Sequence, residues 1–94
     1  MVIFYAARVS VPTDILISQV AGESVILNVQ TERYFGLDKI GTSMWLALTN
    51  SPSIQAAYEK LLTEFDVEPN LLRKDLEDLI QKLVERKLIE VTSE

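Results

Sequence analysis

The feature that most constrains the fold is a change of apolar period between Val25 and Trp45 (VILNVQTERYFGLDKIGTSMW). Two short segments show the two-residue alternation of half-buried strands, and Val25, Leu27 and Val29 share one face of the first. After Leu37 the apolar spacing becomes that of a helix. A strand pair that leads directly into a helix is therefore the centre of the predicted fold.

Three strands precede three helices in this prediction. Strands over Ile15–Val20, Ser24–Gln30 and Arg33–Leu37 are joined by short turns, which indicates an antiparallel meander. Helices follow at about 38–49, 54–65 and 70–87, with Asp38 as N-cap of the first and Pro69 at the start of the third. The predicted fold class is α+β, with a three-stranded antiparallel β-meander followed by three α-helices, in a single domain over residues 1–94.

The N-terminal segment Met1–Val11 has two interpretations. Val2–Tyr5 has strong strand propensity, and Pro12 interrupts the segment because it cannot donate to a ladder. Residues 1–14 are therefore either an arm that lies loosely on the domain or an extra strand that pairs with a second chain to form a homodimer. At the other end, Leu88–Val91 is either a short last strand or an extended tail.

Composition excludes several classes of function. The chain has no cysteine and no histidine, so thiolate chemistry, the commonest general base and the commonest metal ligand are absent. Glu64, Asp66 and Glu68 lie close in sequence but are too few for a metal site. We therefore expect no enzyme activity, no metal and no cofactor.

Charge and hydropathy argue against two kinds of partner. The net charge of −5 argues against nucleic acid, because domains that bind phosphate backbones are usually basic. No apolar run reaches the ~18 residues that a membrane span needs. We expect a cytoplasmic protein that binds neither nucleic acid nor membrane.

The predicted third strand, Arg33–Leu37, lies at an edge of the meander. One side of its backbone has unpaired N–H and C=O groups unless another segment covers it, and an extended peptide can add there as a fourth strand. The third helix offers a wall for such a groove. At 100° per residue, Ile80 and Val84 lie on one shoulder of its apolar stripe, together with Arg73 and Glu77.

Two interpretations of that shoulder stay open. Ile80 and Val84 either form the floor of a peptide groove or pack on the N-terminal arm. The opposite flank of the helix, with Asp75, Lys82 and Arg86, is interpreted as solvated surface.

Several segments resemble the PqqD-like family in their order and spacing. They are Arg33–Asp38 (RYFGLD), Gly41, Trp45–Leu48 (WLAL), Phe65–Pro69 (FDVEP) and Asp75–Leu88. The resemblance covers about residues 15–91 and is strongest to the small stand-alone leader-recognition proteins of lasso-peptide clusters. It implies a winged-helix-like fold and a recognition element for ribosomally made, post-translationally modified peptides (RiPPs).

The resemblance also implies how the leader segment of a precursor peptide is held. The leader would pair with Arg33–Leu37 and lie between the third strand and the third helix. From its charge rather than from the resemblance, Arg73 is expected to hold a leader carboxylate. The complete predicted peptide-binding set is Arg33, Tyr34, Phe35, Gly36, Leu37, Arg73, Leu76, Glu77, Ile80, Leu83 and Val84.

Further partners follow from the same resemblance. In lasso systems the leader-bound protein would present the precursor to a cysteine-protease-like leader peptidase, and the core peptide would then pass to an ATP-dependent cyclase. The alternatives are a PqqD-type chaperone that delivers a precursor to a radical enzyme, or a winged-helix DNA-binding regulator. Two residues depart from the family pattern: Lys87 stands where glycine is common, and Glu68 replaces a commoner aspartate cap.

Overall fold

The structure, a computed structural model, describes residues 2–92 of the 94-residue chain. Its elements are β1 (Arg8–Ser10), β2 (Ile15–Val20), β3 (Glu23–Asn28), β4 (Arg33–Leu37), α1 (Lys39–Asn50), α2 (Ile54–Glu64), α3 (Pro69–Glu85) and β5 (Glu90–Thr92). The predicted α+β class, with three antiparallel strands before three helices, is confirmed. None of the helices in residues 2–92 combines the length and the apolar character required to cross a membrane.

The meander has the strand order β2-β3-β4, with both pairs antiparallel. β2 and β4 have the predicted bounds, but β3 ends at Asn28 rather than at Gln30. The side-chain oxygen of Asn28 accepts hydrogen bonds from the amides of Gln30 and Thr31 at 3.0 and 3.2 Å, which turns the chain early. Glu32 completes this glycine-free turn with a φ of 58°.

The two faces of the sheet differ in a way that alternation alone did not predict. Ser24, Ile26 and Asn28 face the helices and are buried. The opposite side, called here the outer sheet face, is exposed and mostly apolar, and comprises Leu16, Val20, Val25, Leu27 and Tyr34. The predicted period is correct, but the more apolar face of β3 lies on the outside.

The N-terminal arm is bound to its own domain. The carbonyl oxygens of Tyr5 and Ala7 accept hydrogen bonds from the amides of Gln55 and Ile54, each at 2.8 Å. The strand is β1 rather than the predicted Val2–Tyr5, and it pairs antiparallel with β5 of the same chain. The arm is therefore neither loose nor dependent on a second chain for its pairing; a homodimer through it stays a prediction.

All three helices begin with a side-chain cap. Asp38, Ser53 and Glu68 accept hydrogen bonds from the backbone amides three residues ahead, which satisfies donors that a helix start leaves unpaired. Glu68 therefore caps α3, although the resemblance to the PqqD-like family makes aspartate the commoner residue at this position.

The main core lies between the inner sheet face and the three helices. Its completely buried large side chains are Ile26, Leu48, Ile54, Leu61, Leu76, Ile80 and Leu83. α3 thus contributes three of its predicted peptide-binding residues, Leu76, Ile80 and Leu83, to the core. None of the three is exposed in this structure, because α3 packs its main stripe and part of one shoulder inward.

Close approach of α1 to the sheet depends on Gly41 and Thr42. A Cβ atom on Gly41 would lie only 3.1 Å from Cδ2 of Leu37, so a larger residue would push the start of α1 away from β4. The buried hydroxyls of Ser24 and Thr42 form a 2.6 Å hydrogen bond between β3 and α1. These contacts hold the start of α1 close against β3 and β4.

We predict that Ser24 and Thr42 are energetically coupled. Thr42→Val should lower the free energy of unfolding by about 1–3 kcal/mol, because the Ser24 hydroxyl keeps its burial and loses its partner. The double variant Ser24→Ala/Thr42→Val should lose less than the sum of the single variants, as measured by urea unfolding. Strictly additive losses would show that the hydrogen bond does not link the sheet to α1.

A second prediction concerns Ile80, which is 0% exposed. Ile80→Asp should lower the free energy of unfolding by at least about 3 kcal/mol, because it buries a carboxylate without a partner. Leu71→Asp is the matched control, since Leu71 lies on the same helix and is 53% exposed. Thermal unfolding that is equally affected in both variants would contradict the placement of Ile80 in the core.

Candidate functional site

β4 is paired on one side only. β3 occupies one edge of β4, and within residues 2–92 no strand lies along the other. In a ladder, alternate residues direct their N–H and C=O groups to opposite sides, so part of the β4 backbone is open to a further strand. The open edge predicted from the sequence is therefore present.

A groove runs along this open edge, between β4 and α3. We call it the β4–α3 groove. One half is a cavity of about 480 Å³ lined by Phe35, Gly36, Leu37, Asp38, Gly41, Asp75, Asp78, Leu79 and Lys82. The other half is a cavity of about 720 Å³ lined by Thr31, Glu32, Arg33, Tyr34, Glu85, Arg86, Lys87 and Leu88.

The wall that α3 contributes is the flank that was interpreted from sequence as solvated surface. Asp75, Leu79 and Lys82 line the first cavity, and Arg86 continues the wall into the second. The Arg86 guanidinium carbon lies 4.9 Å from the centroid of the Phe35 ring, close enough for a cation–π contact. Helix wall and strand edge therefore meet at Phe35 and Arg86.

The other shoulder of α3 meets the N-terminal arm. The Tyr5 hydroxyl donates a 2.7 Å hydrogen bond to Glu77, and the Arg73 guanidinium lies 4.6 Å from the Tyr5 ring centroid. Arg73 and Glu77 are also an ion pair at 3.5 Å. Burial, followed by the hydrogen bond to Glu77, raises the pKa of Tyr5 well above its ordinary value. The arm, rather than an open groove, occupies this side.

The predicted peptide-binding residues therefore separate into groups. All of Arg33–Leu37 lies on the open edge or in the groove, whereas Arg73 and Glu77 contact the arm. Leu76, Ile80 and Leu83 belong to the core, and Val84 is half-buried. Leu76, Ile80 and Leu83 make α3 apolar over a wide face, but that face packs into the core. A helical wheel shows the width of the face and not the side of α3 that lies beside β4.

Sequence reasoning did not select the groove residues of α3. They are Asp75, Asp78, Leu79, Lys82, Glu85 and, at the C-cap, Arg86. Leu79 was the available signal: it forms the main apolar stripe of α3 with Leu72, Leu76 and Leu83, and it is the member nearest the charged flank.

The C-terminal end of α3 forms one end of the groove. The amides of Lys87 and Leu88 donate to the carbonyls of Val84 and Leu83 at 3.0 and 2.9 Å, which is the hydrogen-bond pattern of a Schellman cap. Lys87 has a φ of 58°, where a non-glycine residue costs about 1–2 kcal/mol. The helix end therefore has the shape that glycine would give it, although a charged side chain is present.

The comparisons with known proteins agree with this architecture. The model of the family described as coenzyme PQQ synthesis protein D (PqqD) matches residues 23–89. No curated protein matches the sequence.

Two solved structures are similar in fold. The first, "TbiB1 in Complex with the TbiA(beta) Leader Peptide", has a TM-score of 0.79 and 26% identity, and the match covers 86% of this chain and 94% of that one. The second, "Lasso peptide synthetase B1 complexed with the leader peptide", has a TM-score of 0.75 and 20% identity, and the match covers 90% and 98%. At that lower identity, the second likeness shows the fold alone.

The family match extends from the start of β3 to the residue before β5, and so includes the sheet edge, α1, α2 and α3. The resemblance identified from the sequence is confirmed: the chain belongs to the PqqD family, with the fold of a RiPP recognition element.

Proposed function

We propose that the protein binds the leader segment of a ribosomally made precursor peptide by strand addition to β4. The observation that carries this proposal is the open edge of β4 beside a groove with an apolar centre. The solved complex of TbiB1, which is 26% identical to this chain, contains a leader peptide. That complex supports leader binding here, and the geometry of β4 supports the mode.

The groove offers both parts of a strand-addition site. The open N–H and C=O groups of β4 provide main-chain hydrogen bonds, each contributing about 0.5–1.5 kcal/mol net. Phe35 and Leu79 are half-buried and offer apolar contacts for alternate side chains of the added strand. Micromolar binding, equivalent to about −8 kcal/mol, is therefore within reach of a short peptide.

The opposite edge of the meander is a weaker candidate. β2 is also an edge strand, but all of its residues after Ile15 are exposed. A peptide added there would gain backbone hydrogen bonds without an apolar wall. The groove therefore makes β4 a better site for peptide addition than β2.

The proposed role is that of an adaptor without catalytic activity. The protein would hold the leader while a cysteine-protease-like leader peptidase cleaves the precursor, and an ATP-dependent cyclase would then act on the core peptide. Such an adaptor needs a second surface for the peptidase. The outer sheet face is a suitable surface for the peptidase because it is apolar and exposed: Leu16 and Tyr34 are 57% and 74% exposed. Tyr34 also belongs to β4, so this face lies next to the strand that would hold the leader.

The PqqD family match also keeps one alternative, delivery of the precursor to a radical enzyme. Leader binding in the β4–α3 groove would be the same in both cases. The two proposals differ only in the enzyme that receives the bound leader.

We predict that binding depends on alternate amides of the leader. The probe is a synthetic leader of the protein's own precursor, with the TbiA(beta) leader peptide for comparison. N-methylation of every second residue should lower affinity at least tenfold in one register and have little effect in the other, because only one set of amides faces β4. Calorimetry measures the affinity, and amide shifts should be largest in Arg33–Leu37.

Leu79→Asp tests the helix wall in the same titration. It should weaken binding at least tenfold, because it places a charge beside the apolar centre of the groove. Leu46→Asp is the matched control, since Leu46 is a 39% exposed leucine on α1. Equal affinity of the two variants, or shifts confined to β2, would contradict binding in the β4–α3 groove.

The adaptor role predicts a variant that separates binding from processing. Leu27→Lys, on the outer sheet face, should keep its leader affinity and lower the rate at which the cognate leader peptidase cleaves the precursor. Ile40→Lys is the control, because Ile40 is 55% exposed on α1 and lies outside that face. Cleavage at the wild-type rate by Leu27→Lys would show that the peptidase does not use this surface.

A further inference from the structure

We propose that the β4–α3 groove selects its peptide by the order of its charges. A basic side chain is preferred at the end formed by Leu37 and Asp38, and an acidic side chain at the end formed by Arg33 and Lys87. This inference rests on the proposed function and adds to it the chemical class of leader that the groove accepts.

The basic end contains three cations, Arg33, Arg86 and Lys87, and two carboxylates, Glu32 and Glu85. Glu85 accepts a 3.3 Å hydrogen bond from Gln81, one turn back along α3. Within residues 2–92, no carboxylate lies within ion-pair distance of the three cations. They are available to a peptide carboxylate, in a protein whose net charge is −5.

The backbone at Lys87 is independent support for this end of the groove. Its φ of 58° favours glycine, and glycine would form the same Schellman cap without strain. Lys82 and Arg86 already place positive charge near the C-terminal end of the α3 dipole, and neither has a strained backbone. Lys87 is therefore not needed for that interaction. A strained lysine is therefore explained by what its side chain does in the groove.

The other end of the groove has the opposite charge. Asp38, Asp75 and Asp78 line it with a single cation, Lys82. Asp38 also caps α1 through the amide of Gly41 at 2.8 Å, which fixes its carboxylate at the end of β4. A lysine or arginine of the added peptide would meet this cluster as it passes Leu37.

The distance between the two ends sets the spacing of the charges. β4 spans four steps of about 3.4 Å, or about 14 Å, and α3 spans about 16 Å between Asp75 and Arg86 at 1.5 Å per residue. Both exceed the screening length of about 8 Å at physiological salt, so each end acts on its own part of the peptide. Phe35 and Leu79 separate the ends with apolar surface.

Direction follows from strand pairing. An antiparallel strand is slightly more stable than a parallel one, so the N-terminal part of the peptide would lie beside Leu37. The selected peptide therefore has its basic residue first and its acidic residue about four positions later.

Display selection from a random library of 12-residue peptides tests the inference without a known leader. The protein is used as the full chain. Enriched peptides should carry Lys or Arg followed about four residues later by Asp or Glu, each about two- to fivefold above its frequency in the library. The variant Asp75→Lys/Arg86→Glu should enrich the reverse order.

The control variant, Glu59→Lys/Lys60→Glu, exchanges two charges outside the groove. Like Asp75→Lys/Arg86→Glu, it leaves the net charge unchanged. It should select the wild-type order. Lys87→Gly is a second variant: it should raise the melting temperature, because it removes the strained backbone, and reduce the enrichment of acidic residues.

The outcomes distinguish the two proposals. Enriched peptides that shift the amides of β4 but carry no charge order would overturn this inference and leave leader binding intact. Selection of no β4-binding peptide would overturn both. Enrichment of the same charge order by the wild type and by the Asp75→Lys/Arg86→Glu variant would also overturn the inference.

Discussion

The unfilled hydrogen-bonding capacity of β4 is the constraint on which the rest of this structure depends. A strand edge in water is a liability, because it can pair with any extended chain. Here the edge is short and lies against a helix flank that is mainly acidic at one end and mainly basic at the other. In the proposed binding mode, this flank limits which peptides can approach β4, and the apolar surface at Phe35 and Leu79 stabilises the added strand.

The two sides of α3 have different neighbours. One shoulder is closed by the chain itself, through Tyr5, Glu77 and Arg73, and the pairing of β1 with β5 keeps the arm in place. The other flank is left beside the strand edge. The arm therefore packs on one side of α3, and the other side lines the groove beside β4.

Local sequence signals predicted much of this fold. The bounds of β2 and β4 were predicted from strand and turn signals, and the starts of the first and third helices from Asp38 and Pro69. These features depend on residues within one or two turns of chain, so their physics is local. The ladder position of β4 follows from the same local information, because short turns force neighbouring strands to pair.

The end of β3 and the end of α3 show a limit of such signals. Asn28 turns the chain with its own side chain, and Glu32 and Lys87 adopt conformations that usually indicate glycine. A pattern search for glycine does not find these positions. Their strain is tolerated because the surrounding hydrogen bonds define the turn and the cap.

The amino-acid sequence by itself determined the order of the three meander strands and the three helices, the open edge of β4 and the apolar width of α3. Only the tertiary structure decided which side of α3 faces that edge. The reason is that Leu79, in the apolar stripe, and Ile80, on its shoulder, are both apolar, so a helical wheel does not show which of them faces β4. The choice depends on contacts between segments far apart in the chain: the arm at Tyr5 covers one shoulder, and the start of α1 against β4 leaves room beside the other.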